Sequence, residues 1–397
     1  MLINGKHHVT YCTNIHPGQN WEYTFKHLRK HVPEIKKNVS ATSAFGLGLR
    51  LSNKASEELQ EGDNLVQFKK WLDRENIYVF TMNGFPYGNF HDERVKDKVH
   101  APDWTTAERV IYTKRLFDQL SLLLPDGIAG GISTSPITYR HWHTSEEELN
   151  AAFSTGAEKL TEVLLHLHQL EKDTGKYMHL DIEPEPDGLL ENSDEVVSFF
   201  EDYLIPIAIE QLQLEFGYME EKSRKLVLRY ITVCYDICHF SLAYEEPKNT
   251  FKKLNEKGIS IGKIQVSAAL KILFDSNGND EVWESLSHFD EPTYLHQVTE
   301  KIGSTVKTYN DLPVLLKDRG NFTELRAHFH VPIFLEQFES LFSTQDHILK
   351  VIAILKKEQI SDHLEIETYT WDVLPLALKK DLTTSIIREI NWLKERL

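Results

Sequence analysis

Four short segments combine acids, imidazoles and amides at spacings that suit chemistry. In HLDIEPEPDG, alternation along an extended chain puts His179, Asp181 and Glu183 on one face, and Pro184 ends the run directly after Glu183. In TVCYDICHF, Asp236 closes an apolar run and His239 follows three residues later. Such a pair offers one anionic oxygen and one imidazole to the same small volume, as a divalent cation requires, although a buried structural Asp–His hydrogen bond has the same spacing. In IGKIQVSAAL, Gln265 and Ser267 share a face. The Gln carbonyl is an acceptable ligand for a hard cation, or a partner for a neighbouring backbone group. HLEIETYTWD repeats the first pattern, with Glu365 and Glu367 on one face. Two segments far apart in the chain thus end in acid-x-acid. Glu183 and Glu367, facing each other, are costly to bury as two anions. A shared cation or a shared proton resolves that cost.

Two further segments rank lower. RAHFHVPIF puts His328 and His330 on one face before Pro332. They suit ligand or substrate contacts, or core and capping roles, since the chain has 19 histidines. The loop NGFPYGNFH, 83–91, places Phe85 and Tyr87 where they wall off a small polar ligand, or simply pack. Cys12, Cys234 and Cys238 lack a Cys-x-x-Cys spacing and read as small core residues.

The elements that must position these groups alternate along the chain. Strand candidates are 8–14, 45–52, 77–84, 131–135, 177–183, 231–236, 261–267, 326–332 and 363–369. Several, such as FGLGLRL, are apolar on both faces, as buried parallel strands are. Helical patterns separate them, with capping boxes at Thr105-x-x-Glu108 and Ser145-x-x-Glu148 and a C-terminal stop at Gly175. The pattern predicts an α/β (β/α)8 TIM barrel, whose active site sits at the C-terminal strand ends. Residues 1–397 read as one barrel domain, with a polar insertion over 271–325. Nine candidates compete for eight barrel positions, and 131–135 and 326–332 are the two contenders for a place outside. A doubly wound sheet lacks its Gly-rich phosphate fingerprint here.

The order Glu183, Asp236-x-x-His239, Gly262-Lys263-Ile264-Gln265, Glu367 resembles the xylose-isomerase-like superfamily of sugar isomerases and epimerases. The resemblance implies that Glu183, Asp236, Gln265 and Glu367 hold one divalent metal ion (Mn, Zn, Mg, Fe or Co), with Gln265 standing where the superfamily has His. It further implies that Glu183 and Glu367 are the catalytic acid/base pair, and that His239 contacts substrate. His330 and His328, with Phe85 and Tyr87, complete the expected substrate-binding set. More narrowly, VTYCTNIHPG, FGLGLRLS, NGFPYG, VKDKVHAPDW, IEPEPDGLL, CYDICHF, HFHVP and HLEIETYTWDVLP resemble the EboE-type metabolite-traffic proteins of bacterial ebo clusters. That likeness spans nearly the whole chain and implies handling of a secondary-metabolite precursor together with other proteins of the cluster.

Composition narrows the functions. Forty-four Lys and Arg against 60 Asp and Glu give a net charge of −16, which disfavours nucleic-acid and anionic-membrane partners. Three cysteines in 397 residues argue against a disulfide-stapled secreted fold, and no apolar run reaches membrane-spanning length. The expected setting is cytoplasmic, without membrane insertion. The leading expectation is a metal-dependent isomerase or epimerase acting on, or handling, a small sugar-like or polyol metabolite. The alternatives are a non-catalytic carrier of the same cluster and a metal-free glycoside hydrolase, the latter leaving Asp236 and His239 unexplained.

Overall fold

The computed structural model describes residues 1–88, 96–275, 278–291, 294–317, 319–368, 371 and 381–397. Eight parallel strands form the barrel: β1 His7–Tyr11, β2 Phe45–Arg50, β3 Ile77–Asn83, β4 Gly130–Thr134, β5 Met178–Ile182, β6 Ile231–Asp236, β7 Ile261–Val266 and β8 His363–Ile366. Every residue of β2, β4, β5, β6 and β8 is buried, which explains why these runs show no polar alternation. Each strand is hydrogen-bonded to the next from β2 to β8, and β8 pairs with β1. The seam between β1 and β2 is closed more sparely. Cys12 bridges Gly48, and the Gly48 amide donates to Thr10 Oγ1 at 3.0 Å.

Helices cover the outside. The longest, Glu146–Thr174, begins at Ser145, whose hydroxyl accepts from the Glu148 amide at 3.2 Å, and stops at Gly175 with φ +71°. The Glu148 carboxylate reaches back to the Ser145 amide and also accepts from the Thr144 amide at 2.6 Å, so the capping box forms as expected. The box expected at Thr105 does not form. That helix begins at Ala107, and Asp103 Oδ1 takes both the amide and the hydroxyl of Thr105. A nearer acceptor wins the competition. No helix among the described residues is long and apolar enough to cross a membrane.

A second, six-stranded antiparallel sheet is built from Leu270–Leu273, Val298–Ile302, Thr305–Tyr309, Glu324–Ala327, Gln337–Phe338 and Leu341–Ser343. The candidate strand 326–332 belongs here, shortened to Glu324–Ala327, while 131–135 is barrel strand β4. The shortening has a local cause. At His328 the chain leaves the ladder, Phe329 donates back to the Ala327 carbonyl at 2.8 Å, and Pro332 has no N–H to offer. Residue 369 of the last candidate strand and residues 89–91 of the aromatic loop lie outside the described residues.

Candidate metal and acid–base site

Glu183 follows the last residue of β5, Asp236 ends β6, and Glu367 follows the last residue of β8. The barrel brings all three to its C-terminal mouth. One ligand oxygen from each lies within 4.8 Å of the other two. All three are buried. Each has a different hold. Asp236 Oδ1 accepts from Ser267 Oγ at 2.7 Å and from the His239 amide at 3.1 Å. Glu367 Oε1 accepts from Asn14 Nδ2 at 2.7 Å and Asn83 Nδ2 at 2.9 Å. Glu183 Oε2 and Asp236 Oδ2 have no hydrogen-bond partner among the described residues.

Three anions so close repel strongly. At about 4 Å and an effective dielectric of about 20, each ionised pair costs about 4 kcal/mol. Burial, then Glu367 and Asp236, push the Glu183 carboxyl well above the ordinary carboxylate range. Burial, then Asp236 and Glu365, do the same to Glu367. Two bare, buried carboxylate oxygens aimed into one volume, beside a third carboxylate, are the donor set a divalent cation takes. Glu183, Asp236 and Glu367 therefore fit the group.

The fourth expected ligand, like Asp236, does not line the mouth pocket. Gln265 is fully buried inside the barrel, level with Asp236 and Glu365 in the strand register. Its Oε1 faces Cys234 Sγ at 3.5 Å, and it does not line the mouth pocket. Just below the mouth, the Lys263 ammonium is ion-paired with Glu365, both groups fully buried.

The mouth pocket is a cavity of about 70 Å³. Glu183, Glu367, His239, His328, His330 and Phe85 all line it. Tyr87 does not line it; its ring packs on Tyr112 at 5.0 Å between centroids, an ordinary loop contact. The three expected histidines converge, with ring centroids 4.8 to 5.6 Å apart. Burial and neighbouring imidazoles hold the proton affinities of His239 and His328 well below the ordinary histidine range. Sequence reasoning passed over Asn14, Asn83, Glu185, His100 and Gln297, which also line the pocket. The repeat of acid-x-acid could have extended by one step to Glu185. Nothing local distinguishes the other four.

No protein-family model matches the sequence, and no curated protein matches it. Solved structures do. The chain is similar to a xylose isomerase-like TIM barrel protein from Mycobacterium smegmatis in complex with magnesium, at 8% identity and TM-score 0.52, covering 100% of this chain and 98% of that one. It is also similar to the IolI protein with a bound zinc atom, at 12% identity and TM-score 0.45, over 97% and 95% of the two chains. The fold is therefore that of the xylose-isomerase-like TIM barrels.

Proposed function

We propose that this chain is a divalent-metal-dependent, isomerase/epimerase-like barrel protein that acts on or handles a small sugar-like or polyol metabolite. Its proposed setting is the cytoplasmic precursor traffic of EboE-type proteins, with other proteins of the cluster as partners. The observation that carries the reading is the convergence of buried Glu183, Asp236 and Glu367 on one another, with Glu183 and Glu367 lining the mouth pocket and one oxygen each of Glu183 and Asp236 without a hydrogen-bond partner among the described residues. When bound there, a divalent cation polarises a carbonyl and its neighbouring hydroxyl.

The chain's own groups supply the rest. Glu183 and Glu367 both hold protons more tightly than ordinary carboxylates, which suits the pair to proton transfer. One carboxylate then removes a proton beside the ligand carbonyl and the other returns one. Asn14 and Asn83 anchor Glu367 Oε1, which fixes the rotamer and leaves Oε2 as the working oxygen. The lining Lys96 is already engaged with Asp311, which supports an uncharged ligand over an anionic one.

The test pairs metal content with proton exchange. Glu183→Gln is expected to lose one equivalent of bound divalent metal relative to the unmodified protein. Solvent deuterium is expected to enter a bound sugar or polyol with the unmodified protein and not with Glu367→Gln. Unchanged exchange in Glu367→Gln overturns the acid–base assignment, and unchanged metal content in Glu183→Gln overturns the ligand assignment. A carrier without chemistry is favoured by one observation, the amide of Gln265 standing where the resembled family has an imidazole. Tight binding with no deuterium exchange selects it.

A further inference from the structure

Two arginines stand behind one wall of the mouth pocket. Arg50 ends β2, Arg109 lies on the helix Ala107–Leu123, and both are buried. Among the described residues, every hydrogen bond from their guanidiniums goes to a main-chain carbonyl oxygen and none to a carboxylate. Arg109 Nη1 donates to Gly84 at 2.7 Å and to Phe85 at 3.0 Å, and Nε donates to Pro102 at 2.8 Å. Arg50 Nη2 donates to Pro86 at 3.4 Å and to Gly88, and Nη1 donates to Gly18 at 3.4 Å. Burial lowers the proton affinity of Arg109 to about 10, so the group stays charged near neutral pH.

Burying a charge is costly, and one turn takes most of what these two charges donate. The turn, GFPYG over 84–88, lies past the end of β3, and its Pro86 has no N–H. Its carbonyls need outside donors. Two come from Arg109 and two from Arg50, while Tyr87 accepts from the Asn53 amide at 2.8 Å. Phe85 and Pro86 of this turn line the pocket. The turn also leads to Glu367. The Phe85 amide donates to Asn83 Oδ1 at 3.1 Å, and Asn83 Nδ2 donates to Glu367 Oε1 at 2.9 Å. A second route starts at Arg50, which reaches the segment 13–18 through Gly18 and through its own amide, 2.8 Å from Thr13 Oγ1. Asn14 of that segment donates to the same Glu367 oxygen at 2.7 Å. Each amide that holds Glu367 thus belongs to a stretch pinned by a buried guanidinium.

We propose that Arg109 and Arg50 are positioning residues, whose guanidiniums fix the turn 84–88 and the segment 13–18 and, through Asn83 and Asn14, aim Glu367 into the pocket. The proposal rests on the reading of Glu367 as a working carboxylate. The planar fork is what the task requires. Lysine keeps the charge but cannot present fixed, coplanar donors to three carbonyls at once. An arginine that served only the fold would have no special tie to Asn83. One that positions Glu367 acts through it.

The experiment is a double-mutant cycle on the full chain, read by cobalt(II) affinity. Arg109→Lys and Asn83→Ala are each expected to weaken cobalt binding about tenfold. Combined, they should weaken it no further, because the first acts through the second. Arg109→Lys with Asn14→Ala should instead multiply the two losses, because those residues lie on separate routes. Unchanged affinity in Arg109→Lys, or losses that multiply with Asn83→Ala, overturns the proposal. If Arg109→Lys does not fold, Arg50→Lys is added to the double variant Asn14→Ala/Asn83→Ala. No further loss then supports the proposal, and a further loss overturns it. Hydrogen exchange separates this outcome from failure of the carboxylate reading. If the unmodified protein binds no cobalt, or Glu183→Gln binds it equally well, that reading falls and the positioning is judged on the Phe85 amide. Exchange about tenfold faster there in Arg109→Lys, with β6 unchanged, supports it, and equal exchange overturns it.

Discussion

Strands β5 and β8 each carry two acids, two residues apart, and the lower pair meets a different fate from the upper. Asp181 and Glu365 lie within their strands; Glu183 and Glu367 lie just past the ends. All four are buried. The lower pair is compensated inside the protein. His179 Nδ1 lies 2.6 Å from Asp181 Oδ1, and Thr232 donates to the same oxygen. Glu365 is ion-paired with Lys263. Burial raises the Glu365 carboxyl, and Lys263 pulls it back. Among the described residues no comparable cation is ion-paired with the upper pair, and its proton affinity rises well above the ordinary range. Residue type and burial are the same in both layers. What separates a structural acid from a functional one here is whether the protein itself supplies the counter-charge.

The contrast is broken most severely from below. Lys263→Met is expected to strand Glu365 and lower stability by about 3–5 kcal/mol, with no rescue by added metal, as read by denaturant unfolding. Gly48→Ala comes next. Its Cβ would overlap the Glu365 carboxylate and sit 2.8 Å from the Tyr11 carbonyl oxygen, so about 1–3 kcal/mol should be lost. The upper layer should respond with the opposite sign.

Because the folded-state affinities of Glu183 and Glu367 are raised, their contribution to stability is complete below the ordinary carboxylate value of 4.5. It is lost as pH rises through the folded-state value. Metal-stripped Glu183→Gln is therefore expected to melt roughly 2 °C higher than the stripped unmodified protein at pH 8, and no higher at pH 4. Added divalent metal should erase or reverse that gain by stabilising only the unmodified protein. The smallest effect is expected from Ser267→Ala. It removes one donor from Asp236 and the acceptor of the Cys238 amide, at a cost of about 1 kcal/mol, with metal affinity lowered about tenfold or more in a titration.

Much of this architecture is legible in the chain. The barrel strands appear as apolar runs because they are buried on both faces, and their last residues are the polar ones because only the mouth tolerates them. Glu183, Asp236 and Glu367 could be singled out for that reason. The second sheet was harder. Its strands are short and half-exposed, as in the Val298–Ile302 and Thr305–Tyr309 hairpin, so the period-two signal is weak. Gln265 stands level with Asp236 in the strand register, with Cys234 Sγ 3.5 Å from its Oε1. Tyr87 misled because a loop has no periodicity to separate a pocket wall from a packed ring.

The sequence by itself determined the alternation of strands and helices, the acids at the strand ends and the spacing of Asp236 and His239. These follow from local periodicity and from the stop signals that end each run. Only the tertiary structure decided which acid meets a buried ammonium and which is held by amides. Lys263 reaches Glu365 across 102 positions of sequence, and Asn14 reaches Glu367 across 353. Likewise, His239 and His328 meet at 3.1 Å between their Nε2 atoms because Pro184 and Gln297, from separate loops, hold their Nδ1 atoms at 2.9 Å. Charge compensation and imidazole contacts depend on distances in space, and those are fixed only when the barrel and the second sheet come together.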